Sequence, residues 1–214
     1  MKRRDFSLAA ISAATVSGLP LAAQAQGPVA KKPVEGTDYL SLDKRVPTDV
    51  GAGKIELIEF FWYSCPHCNA FESQFAAWVK AAPKDVVVQR VPVRFRDDFE
   101  AQQRAYYVFE SLNMVDAMHG KLFHAIHAER QQLNTAQALA AWANKNGLPE
   151  KKFLDTFNSF GVATKARRAT QLQDAFKVQG VPALGIAGRF YTDGSLTQTM
   201  DRALQVAEYL IGEV

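Results

Sequence analysis

The sequence predicts an α/β fold in which an all-helical segment interrupts the part of the chain that forms the sheet. Residues 55–63 are apolar, β-branched and aromatic, as in a buried strand, and helical periodicity follows directly up to residue 82. Residues 97–176 then show the spacing of successive helices, and strand-like sequence returns at residues 183–191. A helical block between two β-rich parts indicates an insertion into an α/β domain.

The first 25 residues have the features of a secretory signal peptide. Residues 2–4 are basic, residues 8–21 form a short, weakly apolar run, and residues 23–25, Ala-Gln-Ala, match a cleavage site with small residues. We therefore expect cleavage after Ala25 and export of the mature chain to the periplasm.

Two alternatives concern the same segment. A membrane anchor needs a longer and more apolar run, and Gly18 and Pro20 interrupt this one. Arg3 and Arg4, followed by Phe6, also resemble a twin-arginine export signal, so the sequence leaves the export route open.

The mature chain is nearly neutral. Removal of residues 1–25 takes away a net charge of +2, so the formal +3 of the whole chain becomes +1, which does not indicate a nucleic-acid-binding surface. Residues 26–37 contain Gly27, Pro28 and Pro33 and are predicted to be a flexible lead, followed by a short first strand at residues 38–42.

Both cysteines of the protein lie in one Cys-Pro-His-Cys step between the predicted strand and helix. Pro66 can occupy the first helical position, which places Cys65 at the positive end of the helix. Free N–H groups and the helix dipole stabilise an anion there, so Cys65 should be an acidic nucleophile, with His67 as a second source of stabilisation. Cys68 lies one turn further on and deeper, and is the candidate resolving cysteine.

The two cysteines could instead form a structural disulfide or half of a metal site. Structural zinc needs four ligands, and the chain has no second pair of cysteines, whereas a Cu(I) site on Cys65 and Cys68 stays open. We favour redox catalysis, with the disulfide as the only redox group, no separate cofactor and no metal. Stabilising the Cys65 thiolate favours the reduced form, which makes the disulfide oxidising.

Beyond the motif, the spacing of apolar residues predicts the remaining elements. A strand at residues 85–93 ends at Pro92, which indicates a sheet edge. Residues 186–191 are predicted to form a hairpin. The predicted helices are Phe99 to Leu112, Asp116 to Glu129, Thr135 to Asn146, Glu150 to Ser159, Val162 to Phe176 and Thr197 to Ile211.

The segment Glu59-Phe-Phe-Trp-Tyr-Ser-Cys-Pro-His-Cys68 resembles the active-site segment of the DsbA family of periplasmic thiol:disulfide oxidoreductases. The resemblance extends over nearly all of the chain after its first few dozen residues. It implies a thioredoxin-like fold formed by residues 38–96 and 170–214, with residues 97–169 as an inserted helical domain. It also implies that the Cys65–Cys68 disulfide is donated to unfolded exported proteins and restored by a quinone-linked membrane partner of the DsbB type.

The same resemblance implies further site residues. Pro182 corresponds to a cis-proline opposite the cysteines, and Val181 would then present its backbone to an extended substrate beside Cys65. Trp62 and Tyr63 are candidate substrate contacts around the motif.

Glu59 corresponds to a buried acid of the family that assists proton movement at the second cysteine. The family prototype has a lysine in the next strand, but Val86–Val88 offers none, and Arg90 is the candidate substitute. The alternative is an acid at a strand edge that reaches solvent.

Three histidines, His119, His124 and His127, share one predicted helix, where we expect surface or packing roles rather than a metal site.

Two competing functions stay open at this stage. A disulfide isomerase or reductase would use the same motif, but periplasmic isomerases usually have a separate dimerisation domain, and residues 26–37 are too few for one. We therefore expect a monomer. The other alternative is a copper-handling binding protein that uses Cys65, Cys68 and His67.

Overall fold

The computed structural model describes residues 31–214 and contains a five-stranded mixed sheet. Its strands are β1 (Leu40–Ser41), β2 (Ile55–Phe61), β3 (Val86–Pro92), β4 (Ala183–Ile186) and β5 (Phe190–Asp193). Their order across the sheet is β1-β5-β4-β2-β3, with β2 and β3 parallel and the other neighbours antiparallel. The predicted signal peptide, residues 1–25, lies outside the described residues.

The helices follow the predicted order. They are α1 (Pro66–Ala81), α2 (Glu100–Ser111), α3 (Val115–His127), α4 (Ala136–Lys145), α5 (Glu150–Phe157), α6 (Phe160–Ala175), α7 (Gly194–Thr197) and α8 (Met200–Ile211). Helices α2 to α6 lie between β3 and β4 in the chain, so the predicted α/β class with a helical insertion is confirmed. Residues 33–214 pack as one unit, and the exact division into two domains stays a prediction. In the described part of the chain, none of the helices has the length and apolar character to cross a membrane.

Strand β2 is the centre of the packing because both of its faces are buried. Leu57 packs into a core with residues of α1 and α8, whereas Ile58 and Phe60 pack into a second core with the inserted helices. Alternating side chains of a strand point to opposite faces, and a central strand covered on both faces is apolar throughout. This burial fixes the end of β2, from which the chain runs directly to Cys65.

Two predicted elements differ from the structure. The first strand is only two residues long, and the predicted C-terminal helix, Thr197 to Ile211, begins at Met200 as α8, with α7 as a separate short helix before it. The two helices are separate because Asp193 caps α7 by accepting from Ser195 N and Leu196 N, whereas Thr199 caps α8 by accepting from Arg202 N. Between them Gln198 adopts a left-handed conformation with φ of 68°, which ends the first helix.

The predicted hairpin is confirmed. Ile186 of β4 pairs with Phe190 of β5, and Arg189 N donates to Ile186 O across the turn at 2.9 Å. Ala187 and Gly188 both have positive φ, 53° and 64°, as a turn that follows the twist of a hairpin requires. The predicted edge position of Pro92 is also confirmed, because β3 is the last strand of the sheet.

Candidate active site

Cys65 is the N-cap of α1, as the sequence predicts. Its sulfur accepts a hydrogen bond from Cys68 N at 3.4 Å, and Pro66 occupies the first turn. Cys65 N donates to Trp62 O at 3.0 Å, which turns the chain between β2 and the helix. The sulfur therefore lies at the helix end, where unpaired N–H groups stabilise negative charge.

The two cysteines are not joined by a disulfide in this structure, and their surroundings give them different pKa values. The pKa of Cys65 is lowered to about 6, mainly by the Cys68 thiol hydrogen bond and also by the N–H groups of Cys68 and His67 and the charge of His67, while burial opposes the shift. Burial raises the pKa of Cys68 well above its usual value, and the neighbouring Cys65 adds to the effect. At neutral pH Cys65 is the thiolate and Cys68 the thiol.

Cys65 is more exposed than Cys68, as predicted for a nucleophile and a resolving cysteine. Cys65 is 8% exposed and Cys68 is 1% exposed. Cys65 is more enclosed than its position at a helix start alone would indicate, because the loop before β4 covers it. The first cysteine is nevertheless the one that an incoming thiolate can reach.

The covering loop contains Val181 and Pro182, and the peptide bond between them is cis, as the family resemblance implied. Val181 O lies 3.3 Å from Cys65 Sγ and accepts a hydrogen bond from it in the thiol form. A cavity of about 380 Å³ adjoins this loop and is lined by residues that include His67, Asp193 and Met200. An extended peptide in this cavity would pass along the Val181–Pro182 loop, whose Val181 O contacts Cys65 Sγ.

The two aromatic candidates before Cys65 differ in their surroundings. Trp62 is partly exposed and stacks on Phe99, with ring centroids 3.8 Å apart, so it can still contact a substrate. Tyr63 is 0% exposed, so the prediction that it contacts a substrate is wrong. Its hydroxyl instead contacts His119 Nδ1 at 2.8 Å in the interior. Tyr63 is buried because α3 packs over it.

Glu59 is buried, and the alternative of an acid that reaches solvent is wrong, since it is 1% exposed. Arg90 is its partner, as predicted: Arg90 Nε lies 3.6 Å from Glu59 Oε2. That distance is too long for a hydrogen bond, and this oxygen has no hydrogen-bond partner among the described residues. Burial raises the pKa of Glu59 to about 8, Arg90 opposes the shift, and Glu72 adds to it. Glu59 is therefore largely protonated at neutral pH.

Arg90 connects Glu59 to a second acid and a histidine that sequence analysis did not assign to the site. Its Nη1 donates to Glu72 Oε2 at 2.5 Å and to His119 Nε2. His119 is buried, so of the three predicted surface or packing histidines it packs inside, whereas His124 is exposed. One signal was present: Glu72 lies one turn after Cys68 on α1, on the same helix face.

The exposed His67 side chain leads to a first prediction. We expect His67→Ala to raise the pKa of Cys65 by less than about one unit, because the Cys68 thiol and backbone N–H groups remain. His67→Pro also removes the N–H at position 67 and should raise the pKa further, while proline is tolerated in a first helical turn.

The measurement is the thiolate absorbance titration of Cys65. His124→Ala, which changes an exposed histidine of α3, is the matched control. Coincident titration curves for the wild type and both His67 variants would show that neither the imidazole nor this N–H contributes.

Comparisons with known proteins extend the similarity far beyond the motif. Residues 56–205 match the family model of the DSBA-like thioredoxin domain. The thiol:disulfide interchange protein DsbA of Bordetella parapertussis is 38% identical over 205 residues, which are 95% of this chain and 93% of the relative. That of Burkholderia cepacia is 35% identical over 182 residues, 85% of this chain and 86% of the relative. The crystal structure of Pseudomonas aeruginosa DsbA matches with a TM-score of 0.80 at 34% identity, covering 86% of this chain and 95% of that one.

Proposed function

Because the chain belongs to the family of DSBA-like thioredoxin domains, we propose that it is a disulfide oxidase that donates the Cys65–Cys68 disulfide to newly exported proteins. The broader activity is established by its relatives: the protein is a thiol:disulfide oxidoreductase with a thioredoxin-like fold. The direction of electron flow and the identity of the clients are the proposed part.

The lowered pKa of Cys65, about 6, is the observation that carries the oxidase direction. A thiolate stabilised only in the reduced protein favours reduction of the disulfide, so the protein passes its disulfide to other proteins. A Cys65 pKa one unit below pH 7 stabilises the reduced form by at most about 1.4 kcal/mol, which raises the reduction potential by about 30 mV for two electrons. Solvent near the partly accessible sulfur screens part of this effect, so we treat it as an upper value.

The reaction has two exchange steps. A client thiolate attacks Cys65 Sγ, the bond between Cys65 and Cys68 breaks, and the electron pair goes to the Cys68 sulfur, which takes a proton. A second client thiolate then attacks the client sulfur of the mixed disulfide and releases Cys65 as a thiolate. The client leaves with a disulfide, and the protein is left as the dithiol. A low pKa makes Cys65 a good leaving group in the second step.

Buried Glu59 supports the first step. The charge of an ionised Glu59 raises the pKa of Cys68, so the two groups are within electrostatic reach, and Glu59 is largely protonated at neutral pH. It can therefore supply the proton that the leaving Cys68 sulfur needs. The cis-Pro182 loop supports substrate alignment, because Val181 O lies beside Cys65 and can pair with an extended client backbone. Trp62 is the partly exposed side chain that a client would meet next to the motif.

The proposed setting is the periplasm, reached through cleavage of the predicted signal peptide near Ala25. An oxidising compartment allows the disulfide to persist. A DsbB-type, quinone-linked membrane protein is the proposed source of oxidising equivalents, the disulfide is the only redox group, and the protein acts as a monomer.

The test is the equilibrium of the full mature chain with reduced and oxidised glutathione. We expect a potential clearly above the value of about −270 mV typical of thioredoxin. A value near that of thioredoxin would overturn the oxidase proposal and favour a reductase. Copper that stays with the dithiol protein through purification and competes with client oxidation would favour the copper-handling alternative.

A further inference from the structure

Four polar side chains meet on the side of the sheet where α1 and α3 pack; Glu59 and His119 are buried, and Arg90 and Glu72 are partly buried. Arg90 of β3 lies between Glu59 of β2 and Glu72 of α1, and His119 of α3 completes the group. Tyr63 closes it from the other side, with its hydroxyl 2.8 Å from His119 Nδ1. We call Glu59, Glu72, Arg90, His119 and Tyr63 the polar network.

The contacts of His119 indicate which ring nitrogen carries the proton. Nε2 faces the Arg90 guanidinium and also lies 3.3 Å from Glu72 Oε2. A guanidinium can only donate, so Nε2 accepts from Arg90, and the proton of the neutral ring is on Nδ1, from which it is donated to Tyr63 Oη. Burial lowers the pKa of His119, which agrees with a neutral ring.

Arg90 thus has three partners, and they do not hold it equally. Its Nη1 donates to Glu72 at 2.5 Å and to His119, while its Nε lies 3.6 Å from Glu59. The two close partners draw one end of the guanidinium away from β2. Glu59 is left near a positive charge but without a hydrogen bond to Oε2 among the described residues.

We propose that His119 is a positioning residue for the cysteine chemistry: by accepting from Arg90 it keeps the guanidinium from closing onto Glu59, so that Glu59 keeps its proton near Cys68. This inference rests on the proposed role of Glu59 in protonating the leaving Cys68 sulfur. Without His119, Arg90 can turn its second nitrogen towards Glu59 and pair with it, and the carboxyl then ionises at lower pH.

All charged and titratable groups that face the network act on this equilibrium. Glu59 is influenced by Arg90 and Glu72, and Tyr106 of α2 lies against the His119 ring with centroids 5.8 Å apart. Burial raises the pKa of Tyr106, so this phenol stays neutral. Phe61 and Phe123 supply the apolar contacts of the His119 ring, with centroids 5.1 Å and 5.2 Å away.

Two substitutions separate the two contacts of His119. In His119→Gln the side-chain amide reaches the position of Nε2 and can still accept from Arg90, whereas in His119→Asn the shorter amide reaches only the position of Nδ1 and can still contact Tyr63. His124→Gln, five residues further along α3 and exposed, is the matched control.

The first readout is the infrared carbonyl band of protonated Glu59, assigned by its loss in Glu59→Gln and followed as a function of pH. We expect His119→Asn to lower the midpoint by about one pH unit, and His119→Gln and His124→Gln to leave it close to the wild type. The pH profile for glutathione attack on the disulfide should shift by the same amount in His119→Asn. Equal midpoints in all variants, or a shift in Gln but not in Asn, would overturn the proposal.

A second measurement uses the wild-type protein and so does not depend on the folding of any variant. The nitrogen chemical shifts of the His119 ring should report the neutral tautomer with the proton on Nδ1; an imidazolium or a proton on Nε2 would overturn the proposal. Neither this measurement nor the Glu59 titration involves a client, so both can fail or succeed independently of the oxidase function.

Discussion

Cys68→Ser is expected to convert the protein into a trap that accumulates mixed disulfides with its clients, whereas Cys65→Ser should form almost none. The two sulfurs are one helical turn apart, but their surroundings make their reactivities very different. At pH 7, with a pKa of about 6, roughly nine-tenths of Cys65 is thiolate in the dithiol protein. Cys68, whose pKa is raised well above 9.0, is almost entirely thiol and 1% exposed.

Removal of Cys68 leaves the reactive thiolate in place but takes away the sulfur that attacks Cys65 and releases the client. Serine is close in size to cysteine, so the helix start and the core around position 68 should be preserved. Removal of Cys65 leaves a buried thiol that neither attacks nor is attacked.

The measurement is non-denaturing trapping of a partly oxidised unfolded client, followed by non-reducing electrophoresis and mass spectrometry of the linked peptides. Cys65→Ser combined with Cys68→Ser is the control for noncovalent association. Similar amounts of mixed disulfide in the two single variants would contradict the assignment of nucleophile and resolving cysteine.

Local sequence was sufficient to predict the element that holds the cysteines. A short run of mostly apolar, β-branched and aromatic residues favours a central strand, and a proline after the first cysteine permits a helix start at that point. Both features act within about ten residues, so β2, the N-cap position of Cys65 and the start of α1 were predicted and are confirmed.

The polar network could not be predicted in the same way, because its members are far apart in the chain. Glu59 and Arg90 were related through the family and through neighbouring strands, and they are paired in register. His119 reaches the same place only because α3 packs on α1, 47 residues after Glu72. Long-range packing also explains the wrong prediction for Tyr63. Its position beside the motif indicated exposure, but α3 packs over it and buries it.

The second large effect is expected from Glu59→Gln, which should stabilise the folded protein at neutral pH. The pKa of Glu59 is raised to about 8 in the folded state, whereas an unfolded glutamate has a pKa near 4.3. The unfolded chain therefore loses this proton first, and the folded state becomes less stable as pH rises from about 4 to about 8.

At pH 7 this difference corresponds to about 3.6 kcal/mol, a sizeable part of the stability of a typical domain. Glutamine keeps the shape of the protonated acid and cannot ionise, so the variant should lose the pH dependence and retain the acid-pH stability. The expected result is a variant about as stable as the wild type at pH 4 and more stable by roughly 2–4 kcal/mol at pH 7.

Glu72→Gln is the control, because it should change the stability at pH 7 in the opposite direction. Burial works against ionisation of Glu72, but its hydrogen bond with Arg90 and the charge of Arg90 outweigh burial and lower its pKa. Its charge stabilises the folded state above the unfolded pKa, and that contribution is lost as pH falls through the folded value. Glu72→Gln should thus be less stable than the wild type at pH 7, with the gap closing on acidification.

Denaturant unfolding of the reduced wild type and both variants between pH 4 and pH 8 measures both effects. A Glu59→Gln variant that is less stable at pH 7, or a gap that does not change with pH, would mean that folded Glu59 is ionised and that Arg90 already neutralises it.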